Sequence, residues 1–176
     1  MTDYTTDSEK TVECKSGWKV NVCLVLSTLV LLLCLCWSFT TISKIRQEKA
    51  LLESITLDED GAYNSKEDIA AYIYKFRHLP PNYMTKKEAN IKGWIGGSIT
   101  SLIPKAAIGG DRYYAQYGIS TIPMAPGRYY RECDVNTWDK EDRGSERLLY
   151  SNDGMIFYTP DHYNTFEDIS PARHKK

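Results

Sequence analysis

Residues 147–169, RLLYSNDGMIFYTPDHYNTFEDI, decide the fold class, because short runs rich in Leu, Ile, Phe and Tyr alternate there with turn residues. They read as strands at 147–151, 155–158 and 165–169, and the same texture upstream adds strands at 129–135 and 112–117. Before Trp94 the period changes. Ile69, Ala70, Tyr72, Ile73 and Phe76 recur at helical spacing after Ser65, which serves as an N-cap, and Pro80 and Pro81 stop that helix. Thr85-Lys86-Lys87-Glu88 forms a capping box for a short second helix that ends at Gly93. Helices followed by hairpin-linked strands predict an α+β domain, with the helices packed on one face of a roughly five-stranded antiparallel sheet.

The chain has 176 residues, 42% hydrophobic and 26% charged, which leaves room for one domain with extensions. Its net charge is −1, all of it carried by residues 1–43. The remainder is neutral, so phosphate binding has to come from locally clustered Lys and Arg instead of a global field. Four of the five cysteines lie in or before an apolar segment and only Cys133 follows it. The downstream module therefore contains no internal disulfide, and the absence of zinc spacing predicts no structural metal and no cofactor.

The apolar segment runs over residues 20–43 without a charge and would span about 30 to 35 Å as a helix. It reads as a transmembrane or signal-anchor helix, since no small-residue cleavage site follows it. A cleaved signal and a buried soluble helix are the rival readings. Lys15 and Lys19 face Lys44, Arg46 and Lys49 across it, so charge alone leaves the orientation open. Cys34 and Cys36 are acylation candidates or apolar filler. Residues 1–19 read as a polar disordered terminus, 44–64 as a juxtamembrane linker, 65–169 as the folded domain and 170–176 as a basic tail. Within the linker, Asp58, Asp60, Gly61 and Glu67 occupy four positions of a calcium loop, but Thr56 stands where the opening Asp belongs. The acids are equally explained as a helix lead-in. His78, near a helix C-terminus, is read as structural.

Five strings in order carry a resemblance: LPPNYMTKKEA (79–89), GWI (93–95), IGGD (108–111), RYYRECDVN (128–136) and RLLYSNDGMIFYTPDHYNTF (147–166). Together they resemble the small secreted bacterial ribonucleases typified by barnase and binase, over residues 65–169. The resemblance implies that family's fold and a metal-independent endoribonuclease acting on single-stranded RNA through a 2′,3′-cyclic phosphate. Such chemistry needs a base for the 2′-OH proton, an acid for the leaving 5′-oxygen, and cations for the phosphoryl oxygens. By position in the matched strings, Glu132 corresponds to the base and His162 to the acid. Lys86, Arg143 and Arg147 correspond to the cations holding the phosphate, and Tyr163 to a phosphate-contacting tyrosine. Without the resemblance, a strand Glu beside Arg reads as a surface ion pair and a lone His as a satisfied polar residue.

The guanine-reading loop departs from the family pattern. After Tyr113 the chain reads Tyr114-Ala115-Gln116-Tyr117-Gly118; aligned without a gap, Tyr117 stands in place of the family's guanine-binding carboxylate and Gln116 in place of a guanidinium, and because the stretch from Asp111 to Glu132 is about two residues longer than the family's, a shifted alignment is the alternative. The expectation is altered or relaxed purine preference, with bases stacking on Tyr113, Tyr114 or Tyr117. An acidic inhibitor of the barstar type is a conceivable partner for a cationic cleft. Two other readings stand beside the enzyme: a catalytically silent, membrane-tethered RNA- or partner-binding module, and an exported antibacterial toxin. A ribonuclease facing the cytosol would attack the cell's own RNA, so the expected location is extracytoplasmic, anchored or secreted.

Overall fold

The computed structural model describes residues 16–114 and 121–171. The chain divides into two units, residues 1–47 and 48–176. The first unit holds most of helix α1 (Ser16–Ser54), whose large apolar side chains, from Leu24 to Phe39, are exposed. From Leu24 onward the helix is long and apolar enough to cross a membrane, by length and composition. The helix starts at Ser16 and continues to Ser54, so it takes in the end of the stretch expected to be disordered and the first half of the expected linker. Leu51, Leu52 and Ile55 pack against the core of the second unit, which is why that half is ordered.

The second unit is built on α2 (Lys66–Phe76), a short α3 (Lys86–Ile91), a 3-10 turn (Ile99–Ser101) and one sheet. The strands are β1 (Tyr83–Met84), β2 (Ala107–Tyr113), β3 (Tyr130–Asp134), β4 (Arg147–Ser151), β5 (Ile156–Thr159) and β6 (Glu167–Asp168), paired in chain order. All neighbours are antiparallel except β1 and β2. The α+β expectation holds, with six strands in place of about five. The additional strand, β1, is a two-residue parallel pairing of Tyr83 and Met84 with Ala107 and Ile108, too short to leave a period in the sequence. β2 begins five residues before the expected strand, at Ala107, because pairing to β1 and β3 overrides the turn preference of Gly109-Gly110. β6 shrinks to two residues because the Asp161 carboxylate captures the Thr165 and Asn164 amides.

Ser65 caps α2 by accepting the Asp68 amide, Glu67 and Asp68 suit its first turn, and Lys75 suits its last. The helix stops at Arg77, left-handed at φ 65°, ahead of the two prolines. Its buried stripe of Ile69, Ala70, Ile73 and Tyr74 packs on Cys133, Val135, Leu148 and Ile156 behind the sheet. A smaller cluster of Ile122, Tyr130, Leu149, Met155 and Phe157 supports the opposite face. His78 is structural in its contacts, meeting the Leu79 carbonyl oxygen at 2.8 Å and Glu59 at 3.2 Å. Asp58 and Asp60 serve a turn, the Asp60 amide donating to the Asp58 carboxylate.

A bulge between Gly109 and Asp111 shapes the site. A Cβ on Gly109 would come within 2.5 Å of the Cys133 Cβ, so only glycine allows β2 to lie this close to β3. The bulge sets Asp111 opposite Glu132 and within reach of the first turn of α3.

Candidate active site

β3 places Glu132 and Asp134 on one face of the sheet by strand alternation. Glu132 is nearly buried. Lys86 Nζ donates to its Oε1 at 2.5 Å and the Tyr163 hydroxyl donates to its Oε2 at 2.5 Å. Lys86 is the first residue of α3, and two features fix its backbone. The Thr85–Glu88 capping box starts the helix, and the Lys86 amide donates to the Asp111 carboxylate at 2.9 Å.

Asp134 is 2% exposed and collects the two arginines. Arg143 grips it with two hydrogen bonds, at 2.6 and 2.8 Å, while Arg147 Nε lies 2.9 Å from Oδ1 without hydrogen-bond alignment. Arg147 directs Nη1 to the carbonyl oxygens of Arg143 and Glu146. Two guanidiniums against one buried carboxylate leave a net positive charge beside Glu132. Burial weakens the Arg143 charge, but the Asp134 hydrogen bonds more than restore it, so its pKa lies above the ordinary value. Trp94 lies against the Arg143 guanidinium at 5.6 Å and holds it from the other side.

His162 and Tyr163 come from the loop after β5 and take consecutive left-handed conformations, φ 57° and 75°. Strain of this kind persists only where the surroundings enforce it. Here the Asp161 carboxylate receives the Asn164 and Thr165 amides, the Tyr163 amide donates to Thr159, and the His162 amide donates to the Ser145 carbonyl. The result turns the Tyr163 hydroxyl in toward Glu132 and leaves the His162 ring exposed, its centroid 4.9 Å from that of Tyr163. Burial, and then the Glu132 carboxylate, push the Tyr163 phenol well above its ordinary range, so it remains a donor at neutral pH. Tyr113 lies on the other side of Tyr163, with ring centroids 5.2 Å apart.

Glu132, Lys86, Tyr163, His162 and Tyr113 thus form one connected group, with Arg143 and Arg147 adjoining it through Asp134. Tyr114 is set apart, on the opposite face of β2 against Arg112. Ala115, Gln116 and Tyr117 lie outside the described residues. Two positioning carboxylates escaped the sequence reading. Asp134 keeps the period-two register of Glu132 and could have been found by it, whereas Asp111 depends on the bulge, which leaves no signal. Among the described residues, no group of three His, Cys, Asp or Glu side chains is arranged for a metal.

A ribonuclease family model matches residues 66–170. The chain is 34% identical to a ribonuclease of Bacillus pumilus over 134 residues, which cover 74% of this chain and 81% of that protein. It is 38% identical over 108 residues to a ribonuclease of Heyndrickxia coagulans, covering 60% of this chain and 96% of the relative. A ribonuclease of Bacillus intermedius is also 38% identical over 108 residues, 60% of this chain and 65% of its own.

Proposed function

This chain belongs to the ribonuclease family and is an endoribonuclease, and from that premise we propose that it cleaves single-stranded RNA by transesterification at Glu132 and His162. The observation that carries this reading is the Glu132 carboxylate held between Lys86 and Tyr163, beside an excess of guanidinium charge. Glu132 takes the proton of a ribose 2′-OH as that oxygen attacks the adjacent phosphorus. The bond from phosphorus to the 5′-oxygen breaks, and His162 gives its proton to the departing oxygen. A 2′,3′-cyclic phosphate remains, and water opens it with the two roles exchanged.

Lys86, Arg143 and Arg147 would carry the charge that grows on the equatorial phosphoryl oxygens, the work that a metal does in other nucleases. Lys86 would turn from Glu132 to the phosphate when substrate arrives, freeing one carboxylate oxygen for the 2′-OH. Tyr113 beside Tyr163 offers an aromatic surface for a base at the same centre. The substitutions at Gln116 and Tyr117 support altered or relaxed purine preference. The apolar helix would serve as an anchor or signal, with the enzyme outside the cytosol. An acidic inhibitor would meet the same cations.

The test is RNA cleavage by the full chain in detergent micelles containing EDTA, beside Glu132→Ala and His162→Ala. Each variant is expected to lose about 10²- to 10⁴-fold in kcat. Undiminished cleavage by both, or abolition of wild-type activity by EDTA, would overturn the proposal.

A further inference from the structure

Arg131 precedes Glu132 on β3 and therefore faces the other side of the sheet. Its partner across the ladder is Arg112 on β2. Two like charges placed directly opposite repel, and among the described residues neither pairs with a carboxylate. Tyr129 lies beside both, its ring centroid 4.6 Å from the Arg112 guanidinium and 5.8 Å from that of Arg131. Tyr114, 78% exposed, continues the series at 5.9 Å from Arg112. Tyr114, Arg112, Tyr129 and Arg131 thus form one cluster in which each ring lies near a guanidinium.

Next to the ladder, a cavity of about 210 Å³ opens between α2 and the sheet, lined by Arg77, Tyr129, Arg131 and Tyr150 among others. Nearby acids serve other cations: Glu48 is paired with Arg77, Glu59 with His78 and Asp153 with Arg128. The centre of the patch carries positive charge without a carboxylate partner among the described residues, set beside aromatic rings.

We propose that this ladder is a second binding surface for the RNA substrate, reached by the strand that leaves the catalytic face; the proposal rests on the ribonuclease reading above. The topology gives the path. β1 pairs with β2 at Ala107 and Ile108, and Arg112 and Tyr113 lie on the two faces of the β2 edge beyond that pairing. A single strand can pass that edge from Tyr113 on the catalytic side to Arg112 and Tyr114 behind it. The chemistry fits a polyanion with planar bases: Arg131 donates Nη1 to the Gly110 carbonyl oxygen and keeps its other N–H groups, with those of Arg112, for phosphates, and the tyrosines take bases. A phosphate between Arg112 and Arg131 also relieves their repulsion. The cavity is smaller than a pocket for a drug-sized ligand and suits the insertion of a single base.

The experiment compares the full chain in detergent micelles with the double variant Arg112→Gln/Arg131→Gln and, separately, Tyr129→Ser, with folding checked by circular dichroism. The substrates are a purine dinucleotide, too short to reach the ladder, and a single-stranded oligoribonucleotide of about 20 nucleotides. Both variants are expected to cleave the dinucleotide within about twofold of wild type. On the longer RNA the double variant should raise KM about tenfold, and its salt slope should fall by about 1.4 for two lost phosphate contacts. Tyr129→Ser should raise KM severalfold with the slope unchanged. If wild type cuts both substrates and neither variant alters KM or salt slope on the longer RNA, the second surface is refuted and the catalytic reading stands. If wild type cuts neither substrate, the catalytic reading fails and takes this proposal with it.

Discussion

Glu132 and Asp134 stand two residues apart on one face of β3, and burial divides their work. The Glu132 side chain is 12% exposed and accepts hydrogen bonds from a lysine and a phenol. The Asp134 side chain, 2% exposed, is locked between two guanidiniums. Under the proposed mechanism Glu132 exchanges the proton and Asp134 holds the arginines in place.

Replacing Asp134 with Asn should therefore cost stability first. The change leaves Arg147, 3% exposed, and Arg143 side by side without their carboxylate. Breaking a buried pair by removing one partner costs about 3–5 kcal/mol. Urea unfolding of the full chain in micelles should show this loss. kcat should also fall in whatever protein remains folded, since the arginines lose the group that aims them. A variant within about 0.5 kcal/mol of wild type would mean that the arginines are held by Trp94 and the loop carbonyls instead.

Tyr163→Phe removes one hydrogen bond to Glu132 and almost no volume. Bonds to charged groups are worth about 1.5–3 kcal/mol, so kcat/KM should fall by about 10- to 150-fold. Because the bond is already made in the free protein, stability should also fall, by up to about 3 kcal/mol, while the ring stays packed against Tyr113 and His162. An unchanged kcat/KM in steady-state assays would show that this hydroxyl does not bear on the reacting carboxylate.

The sequence carries the helices and the central strands legibly because each has a local cause: Ser65 and Thr85 are caps, and β4 and β5 are short apolar and aromatic runs bounded by turn residues. What it hides is non-local. β1 exists only because Ala107 and Ile108 lie beside it, and the bulge at Gly109 is set by the approach of Cys133. The site divides in the same way. The candidate residues Glu132, His162 and the cations are legible as residue types in matched strings, but nothing local reports that Tyr113, and not its neighbour Tyr114, shares a face with Glu132. That separation follows from register.

Acid stability should depend on Glu146. Burial alone would raise its pKa, but hydrogen bonds from Asn136, Tyr158 and Lys140 outweigh it and hold the pKa below the ordinary 4.5. A depressed folded pKa gives stability that is fully present above the unfolded value and disappears as pH falls through the folded one. Wild type should therefore exceed Glu146→Gln in urea midpoint at about pH 6, and the gap should close below about pH 4. A gap that is constant with pH would assign the effect to packing. Tyr158, raised to about 12 by burial and then by Glu146, stays a donor across this range.

Base preference tests the proposed reading of the residues that follow Tyr113. A site that offers guanine a carboxylate rejects adenine strongly, because the acceptor is left unpaired by the wrong base. Aligned without a gap, Tyr117 and Gln116 occupy those positions in the sequence, and the aromatic pair Tyr113 and Tyr163 supplies stacking, which every base can accept. Stacking alone discriminates weakly between purines. Cleavage of dinucleotides after guanosine should exceed cleavage after adenosine by no more than about tenfold in kcat/KM, and Tyr113→Ala should lower both by similar factors. A thousandfold preference for guanosine would show that other groups have rebuilt an acceptor for the guanine edge, and that the two substitutions left specificity intact.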